Sequence, residues 1–186
     1  VLREYGLIMV GVGVGVLALF LRLLKRPAFL FQWHRLLLKT PLVARLVGGA
    51  NTATFARTFS IMTASGVPVL EAMRISSSVL SNLPMRAAVD AAAHRVREGG
   101  GIAHALEQSG YFPPITVHLI ASGEVSGNLE EMLARAAENQ ERELKGVIAM
   151  ALGMFEPLLL VTMGGVVMVI VLAILLPIFE INQLIQ

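Results

Sequence analysis

The longest apolar stretch of the chain lies near its C-terminus and carries a single acid. Gly146 to Phe179 is 34 residues long, and Glu156 is its only charged residue. As one helix this stretch would measure about 51 Å, whereas the hydrocarbon core of a bilayer is about 30 Å thick. If Glu156 and Pro157 mark the membrane surface, Pro157 to Phe179 forms one slightly tilted span of about 35 Å. The sequence therefore predicts a membrane-spanning helix whose first part lies in protein.

A second apolar stretch, Tyr5 to Leu24, is also long enough to span a bilayer. It is 20 residues long and is interrupted only by Arg22, which lies close enough to the end to reach the headgroups. Its basic cluster follows the apolar residues, whereas a cleaved signal peptide has a basic start. With 55% hydrophobic and 15% charged residues, the chain has the composition of a membrane protein. Because it begins with Val, we expect it to be a fragment or a processed product.

The charges of the connecting segments predict how the chain is oriented. No acidic residue occurs between Glu4 and Glu71, whereas seven Lys and Arg residues do. Basic residues prefer the cytoplasmic side of a membrane, so the middle of the chain is predicted to be cytoplasmic and both ends periplasmic. The predicted segments are a transmembrane helix (1–25), a juxtamembrane interfacial segment (26–50), a cytoplasmic helical bundle (51–145), a long helix that enters and spans the membrane (146–179) and a periplasmic tail (180–186).

The juxtamembrane segment contains a mixture of aromatic, aliphatic and basic residues. "FLFQWHRLLLKTP" places Phe29, Phe31 and Trp33 beside Arg35 and Lys39. This pattern is typical of a helix at the bilayer surface with an aromatic anchor. A simple linker remains the alternative.

The cytoplasmic middle reads as six short amphipathic helices with no alternating strand pattern. Phe55, Phe59 and Met62 share one helical face, and Gly66 ends that helix before Pro68 starts the next. Further turns occur at "SNLP", "EGGG", "SGYFPP" and "SGEVSG". The fold class is therefore predicted as all-α, a six-helix cytoplasmic bundle between two transmembrane helices.

The stretch "SGEVSGNLEEML" presents Glu124 between two glycines. We expect Gly123 and Gly127 to form a turn, and Asn128 to cap the last helix in a capping box with Glu131. Three acid-first pairs, Glu131 with Arg135, Glu138 with Arg142 and Glu141 with Lys145, indicate a solvated face. A structural role for Glu124 is favoured over a catalytic or metal-binding role, because the additional oxygen ligands of a cation site are missing.

Other candidate chemistry is weak. "GVGVGV" lies inside the first span and lacks the Lys-Ser or Lys-Thr of a nucleotide-binding loop. Gly11 with Gly15, and Gly164 with Gly165, are predicted helix-packing positions. The four histidines have no metal-ligand spacing, and no nucleophile elbow or cysteine occurs. Glu156 is either a functional group or a residue at the membrane boundary.

Several motifs together resemble one family. They are "FARTFSIMTASGVPVLEAMRISSSVLSN", "VREGGGIAHALEQSGYFPPITVHLIASGEVSGNLEEML" and "FEPLLLVTMGG" with "AILLPIFEIN". These stretches resemble the second half of the inner-membrane platform proteins of type II secretion, whose relatives assemble type IV pili. The resemblance covers nearly the whole chain, and the motifs are specific in combination.

The resemblance implies a non-enzymatic protein that couples a cytoplasmic secretion ATPase to pseudopilus assembly in the bacterial inner membrane. It also implies contacts with pseudopilins and other assembly-platform proteins, a homo-oligomer and no nucleic acid. No cofactor is expected, although some family domains bind calcium, and Glu124 matches a motif position. The coupling candidates are Gly66, Pro68, Gly123, Glu124, Gly127, Asn128, Glu156 and Pro157. A type IV pilus platform, a channel or transporter subunit, and a membrane enzyme are the alternatives.

Overall fold

The computed structural model describes residue 22 and residues 27–183, and in this part of the chain every regular element is an α-helix. The all-α fold class is confirmed for these residues. The helices are α1 (Pro27–Leu37), α2 (Pro41–Ala64), α3 (Val69–Ser78), α4 (Leu83–Arg97), α5 (Ile102–Glu107), α6 (Pro114–Ser126) and α7 (Leu129–Gln183). The predicted first span, with Gly11 and Gly15, lies outside the described residues.

The chain divides into two compact units, Val1–Leu144 and Lys145–Gln186. The first unit has a hydrophobic core to which α2 to α7 all contribute. Its largest fully buried apolar side chains are Phe55, Phe59, Met73, Met85, Leu106, Ile120 and Leu133. Phe55 and Phe59 lie on the inner face of α2, as the helical spacing predicted, and Met62 is partly buried beside them.

The predicted turn at Gly66 and Pro68 follows from backbone hydrogen bonding at the end of α2. Gly66 has a φ of 77°, and the Val67 N–H donates to the Met62 carbonyl at 3.0 Å. This six-residue hydrogen-bonded loop ends a helix with a left-handed residue, which glycine adopts without strain. Pro68 then takes the N-cap position of α3, and its backbone is extended. The turn therefore brings Val67 against the core directly after α2.

The structure corrects the predicted turn around Glu124. Gly123 and Glu124 are part of α6, and only Gly127, with a φ of 75°, forms the left-handed end of that helix. Gly123 lies inside α6 and packs closely on α7, so the absence of a side chain there allows close packing and does not mark a turn.

Two hydrogen-bonding details also differ from the prediction. The Glu131 carboxylate pairs with Arg135 at 2.6 Å, as predicted, but no hydrogen bond among the described residues joins it to the Asn128 N–H, so the predicted capping box is wrong. The Asn128 N–H instead lies 3.4 Å from Ser126 Oγ. Glu141 bonds Arg57 of α2 at 3.0 Å and not Lys145, because α2 lies alongside this part of α7.

The second unit consists of the C-terminal part of α7. Every side chain described from Lys145 to Leu175 is exposed, except that of Val147, which is half-exposed. Among the described helices, α7 alone is long and apolar enough to cross a membrane, and an 18-residue window in it reaches a mean hydropathy of 3.0 with none of it buried. Glu156, Pro157, Gly164 and Gly165 all lie in this helix, which continues through Pro157.

Candidate functional site

The Glu124 carboxylate binds the start of α5. Its Oε1 accepts a hydrogen bond from the Ile102 N–H at 2.8 Å, and its Oε2 accepts one from the Ala103 N–H at 3.2 Å. The N-cap residue, Gly101, has no side chain that could accept these bonds. A carboxylate suits this position because the first N–H groups of a helix are unpaired and carry partial positive charge. Glu124 therefore caps a helix whose first residue lies 22 positions earlier in the chain.

Gly123 allows α6 and α7 to approach closely. A Cβ atom at this position would lie 2.9 Å from the Leu129 Cα and 2.9 Å from the Met132 Cβ. Both distances are shorter than a normal carbon–carbon contact. The glycine thus fixes the distance between the end of α6 and the first turns of α7, next to the Glu124 cap.

We expect Gly123→Ala to lower the free energy of unfolding by about 1 to 3 kcal/mol, because the added methyl group must push backbone and Cβ atoms apart. Gly146→Ala is the matched control, since Gly146 is helical and has nothing within 4 Å of a Cβ there. That control is expected to stabilise its helix by about 0.5 to 1 kcal/mol. Thermal unfolding of the two purified variants measures both effects. Equal shifts in melting temperature would contradict the close packing at Gly123.

We expect Glu124→Ala to lower the free energy of unfolding by about 1 to 2 kcal/mol, because two amide groups at the start of α5 lose their acceptor. Glu107→Ala removes a carboxylate with 69% of its side chain exposed, so that control should change stability by less than about 0.5 kcal/mol. Hydrogen exchange gives the local readout, since the Ile102 and Ala103 amides should lose protection in Glu124→Ala alone. Unchanged exchange at these two amides would show that the cap does not form.

A buried amide network at the α3–α4 connection holds α1 against the bundle. The Asn51 Oδ1 accepts a hydrogen bond from the Asn82 N–H at 3.0 Å, and the Asn82 Oδ1 caps α4 by accepting from the Met85 N–H at 3.1 Å. His34 of α1 accepts a bond from the Leu83 N–H at 3.2 Å through Nδ1. Asn51 and Asn82 are buried, so these bonds replace contacts with water. Sequence reasoning missed this network, although an Asn before "LP" is a local signal of a helix N-cap.

The first turns of α7 are attached to α2 by two polar contacts. Arg57 donates to the Glu141 carboxylate through Nε at 3.2 Å and through a terminal nitrogen at 3.0 Å. Ser60 Oγ donates to the Glu130 carbonyl at 2.8 Å. Leu133, Ala136 and Ala137 bury the inner face of the same segment. The opposite face is exposed and charged, and it carries Glu131, Arg135, Glu138 and Arg142.

The apolar part of α7, from Gly146 to Phe179, contains one charged residue, Glu156, which is followed by Pro157. Pro157 has no N–H to donate to the carbonyl four residues earlier, at Gly153, so that carbonyl loses its usual helical partner. The exposed Glu156 carboxylate adds a second polar group to this turn. Gly164 and Gly165 are exposed two turns further on, where a neighbouring helix can approach closely.

The residues around Glu124 do not fit a calcium ion. Both carboxylate oxygens accept amide hydrogen bonds, and the described residues contain no group of three His, Asp or Glu residues that could hold a metal. Calcium prefers six to eight oxygen ligands. We therefore assign no metal to Glu124, and the absence of a cofactor stays a prediction.

Comparison with known proteins identifies the family. Residues 55–177 match the model of "Type II secretion system (T2SS), protein F". The chain is 48% identical to the type II secretion system protein F of Pseudomonas aeruginosa over 183 residues, which is 98% of this chain and 45% of that protein. It is 50% identical to the protein of the same name from Aeromonas hydrophila over 155 residues, which is 83% of this chain and 40% of that protein.

Pilus assembly proteins are more distant relatives. The type IV pilus assembly protein PilC of Myxococcus xanthus is 30% identical over 184 residues, which is 99% of this chain and 44% of that protein. The chain thus spans less than half the length of each of these three relatives. Because the family model covers well over half of the sequence, the chain belongs to the type II secretion system protein F family.

Proposed function

We propose that this chain is part of an inner-membrane platform that couples a cytoplasmic secretion ATPase to pseudopilus assembly and protein export. The observation that carries the proposal is that one helix, α7, includes both residues of the bundle core and an apolar stretch suited to lipid. Family membership supplies the context of secretion. The proposed role is non-enzymatic, with the bundle in the cytoplasm and both ends of the chain in the periplasm.

The proposed mechanism uses α7 as the moving part. A force on the bundle reaches α7 through its buried face and through the Arg57–Glu141 ion pair. Helical hydrogen bonds then transmit the displacement along the axis, because an α-helix resists bending more than a loop does. Gly123 and Glu124 support this function by holding α6 against α7 and α5. Pseudopilins, other platform proteins and further copies of this chain are the proposed partners of the apolar segment.

A type IV pilus platform is the second candidate. The percentage sequence identities to the relatives favour a secretion platform over it. The chain is 48% identical to a secretion protein and 30% identical to a pilus assembly protein from different organisms over similar lengths. A channel is less well supported, because the apolar part of α7 has one charged residue, Glu156, with which to line a pathway.

Deletion of the gene that encodes this chain tests the proposal. We expect the deletion to stop export of secreted enzymes into the medium while surface pili still form, and a plasmid copy to restore export. Loss of pili with normal export would instead support the pilus platform. Normal export and normal pili together would contradict both assignments.

A further inference from the structure

One side of α1 is exposed and combines basic with apolar residues. Phe31 is 39% exposed and Leu36 is 53% exposed, and Gln32, Arg35 and Lys39 are exposed between them. Phe31, Gln32, Arg35 and Leu36 share a side of α1 because residues three and four apart are neighbours on a helix. Lys39, two residues after the end of α1, lines the same surface depression as Gln32, Arg35 and Leu36. We call these five residues the basic face of α1. No ion pair among the described residues involves Arg35 or Lys39.

The opposite side of α1 is attached to the bundle. The His34 ring accepts a hydrogen bond from the Leu83 N–H, and the His34 carbonyl lies 3.4 Å from the Asn82 Nδ2. Leu38, just after α1, packs on the core, and Trp33 is half-buried. Rotation of α1 about its axis would break these contacts, so the basic face is held outward.

We propose that the basic face of α1 binds the anionic headgroups of the bilayer. Arg35 and Lys39 would contact lipid phosphates, and Phe31 and Leu36 would reach the boundary of the acyl chains. Since His34 holds α1 on the α3–α4 connection, this contact fixes how the bundle is presented to the membrane. The inference rests on the proposed membrane platform and adds the lipid class that the platform recognises.

Two observations favour a membrane over an acidic protein as the occupant. The predicted first span ends at Leu24 and α1 begins at Pro27, so at most about 11 Å of extended chain separates the start of α1 from the bilayer. Charge is the second observation, because the whole stretch between Glu4 and Glu71 lacks acidic residues. The cytoplasmic leaflet is negatively charged and attracts such juxtamembrane segments by about fivefold in affinity per Lys or Arg.

A spin label at position 32 tests this contact. The chain contains no cysteine, so Gln32→Cys gives a single labelling site in the middle of the basic face. The labelled chain is reconstituted in nanodiscs of phosphatidylcholine, with or without phosphatidylglycerol. We expect the label to be shielded from a water-soluble relaxation agent in the anionic discs, and to be accessible in the neutral discs and at high salt.

Two double substitutions distinguish the effect of the basic face of α1 from the effect of the overall net charge. Arg35→Gln with Lys39→Gln should lower the ratio of shielded to accessible label about 25-fold in anionic discs, since two cations are lost. Arg74→Gln with Arg97→Gln removes the same charge from exposed positions on α3 and α4 and should leave the ratio unchanged. An equal loss in both pairs would overturn the assignment to α1.

A second label reports membrane insertion independently. Met163→Cys places a label on the apolar part of α7, at a side chain that is 70% exposed. Suppose that this label lies in lipid while the label at position 32 is equally accessible in both kinds of disc. The proposed binding of headgroups by α1 is then contradicted, whereas the proposed membrane platform is not. If the label at position 163 is in water, the proposed membrane topology fails and the inference fails with it.

Discussion

Phe55→Ala is expected to lower the free energy of unfolding of the bundle by about 3 to 5 kcal/mol. Phe55 is fully buried, and its ring centroid lies 5.5 Å from that of Phe59 and 5.3 Å from that of Phe112. The substitution therefore leaves a cavity and also removes two aromatic contacts, one within α2 and one to the segment between α5 and α6. A domain is stable by only about 5 to 15 kcal/mol, so this loss is a large share of the total.

The matched control is Ile61→Ala in the same helix. Ile61 is 51% exposed, so its truncation removes little buried surface and should cost less than about 1 kcal/mol. Urea unfolding followed by the fluorescence of Trp33, the single tryptophan of the chain, reports on the bundle and not on the apolar part of α7. Equal midpoints for the two variants would contradict the position of Phe55 in the core.

A flexible insertion between Lys145 and Gly146 is expected to reduce export to the level of the deletion strain. Glycine costs about 1 kcal/mol per residue in a helix, so about two turns of glycine and serine would interrupt α7 at the start of its apolar part. The control is an insertion of equal length made of alanine, which lengthens α7 while keeping it helical. Membrane insertion and protein level should be the same in both strains.

Export measured in these two strains decides whether α7 must be continuous. We expect the alanine insertion to keep most of the export activity, since two helical turns change the direction of the following residues by only about 20°. If the flexible insertion exported as much as the alanine insertion, with both well above the deletion strain, transmission along α7 would be ruled out. The chain would still be a member of the family.

Local sequence patterns predicted the helices and several turns of the bundle. The spacing of Phe55 and Phe59 indicated the inner face of α2, and Gly66 with Pro68 marked the turn into α3. These signals are local, because the end of a helix and its buried face are determined by residues within one or two turns. The six predicted bundle helices correspond to α2 to α7, although α2 begins at Pro41, ten residues before the first residue of its predicted periodic pattern.

The contacts between distant segments could not be predicted in the same way. Glu124 caps an amide 22 residues earlier, and His34 accepts a bond from Leu83, 49 residues away. Single-sequence patterns contain no information about such pairs, because each residue is compatible with many partners. For the same reason, Gly123 between Ser122 and Glu124 resembled a turn, and the positions of Leu129 and Met132 explain why this helical residue has no side chain.

The outer face of α7 offers the most direct test of coupling to the ATPase. Photoreactive residues are placed at Glu131, Glu138 and Arg142 on this face, and at Asp90 on a second exposed face of the bundle, on α4. The proteins are expressed from the native gene, crosslinked in living cells and probed with an antibody against the secretion ATPase. We expect ATPase adducts from one of these faces and none from the other, which would identify the coupling surface. If all four positions capture only further copies of this chain, the direct coupling of the bundle to the ATPase is contradicted.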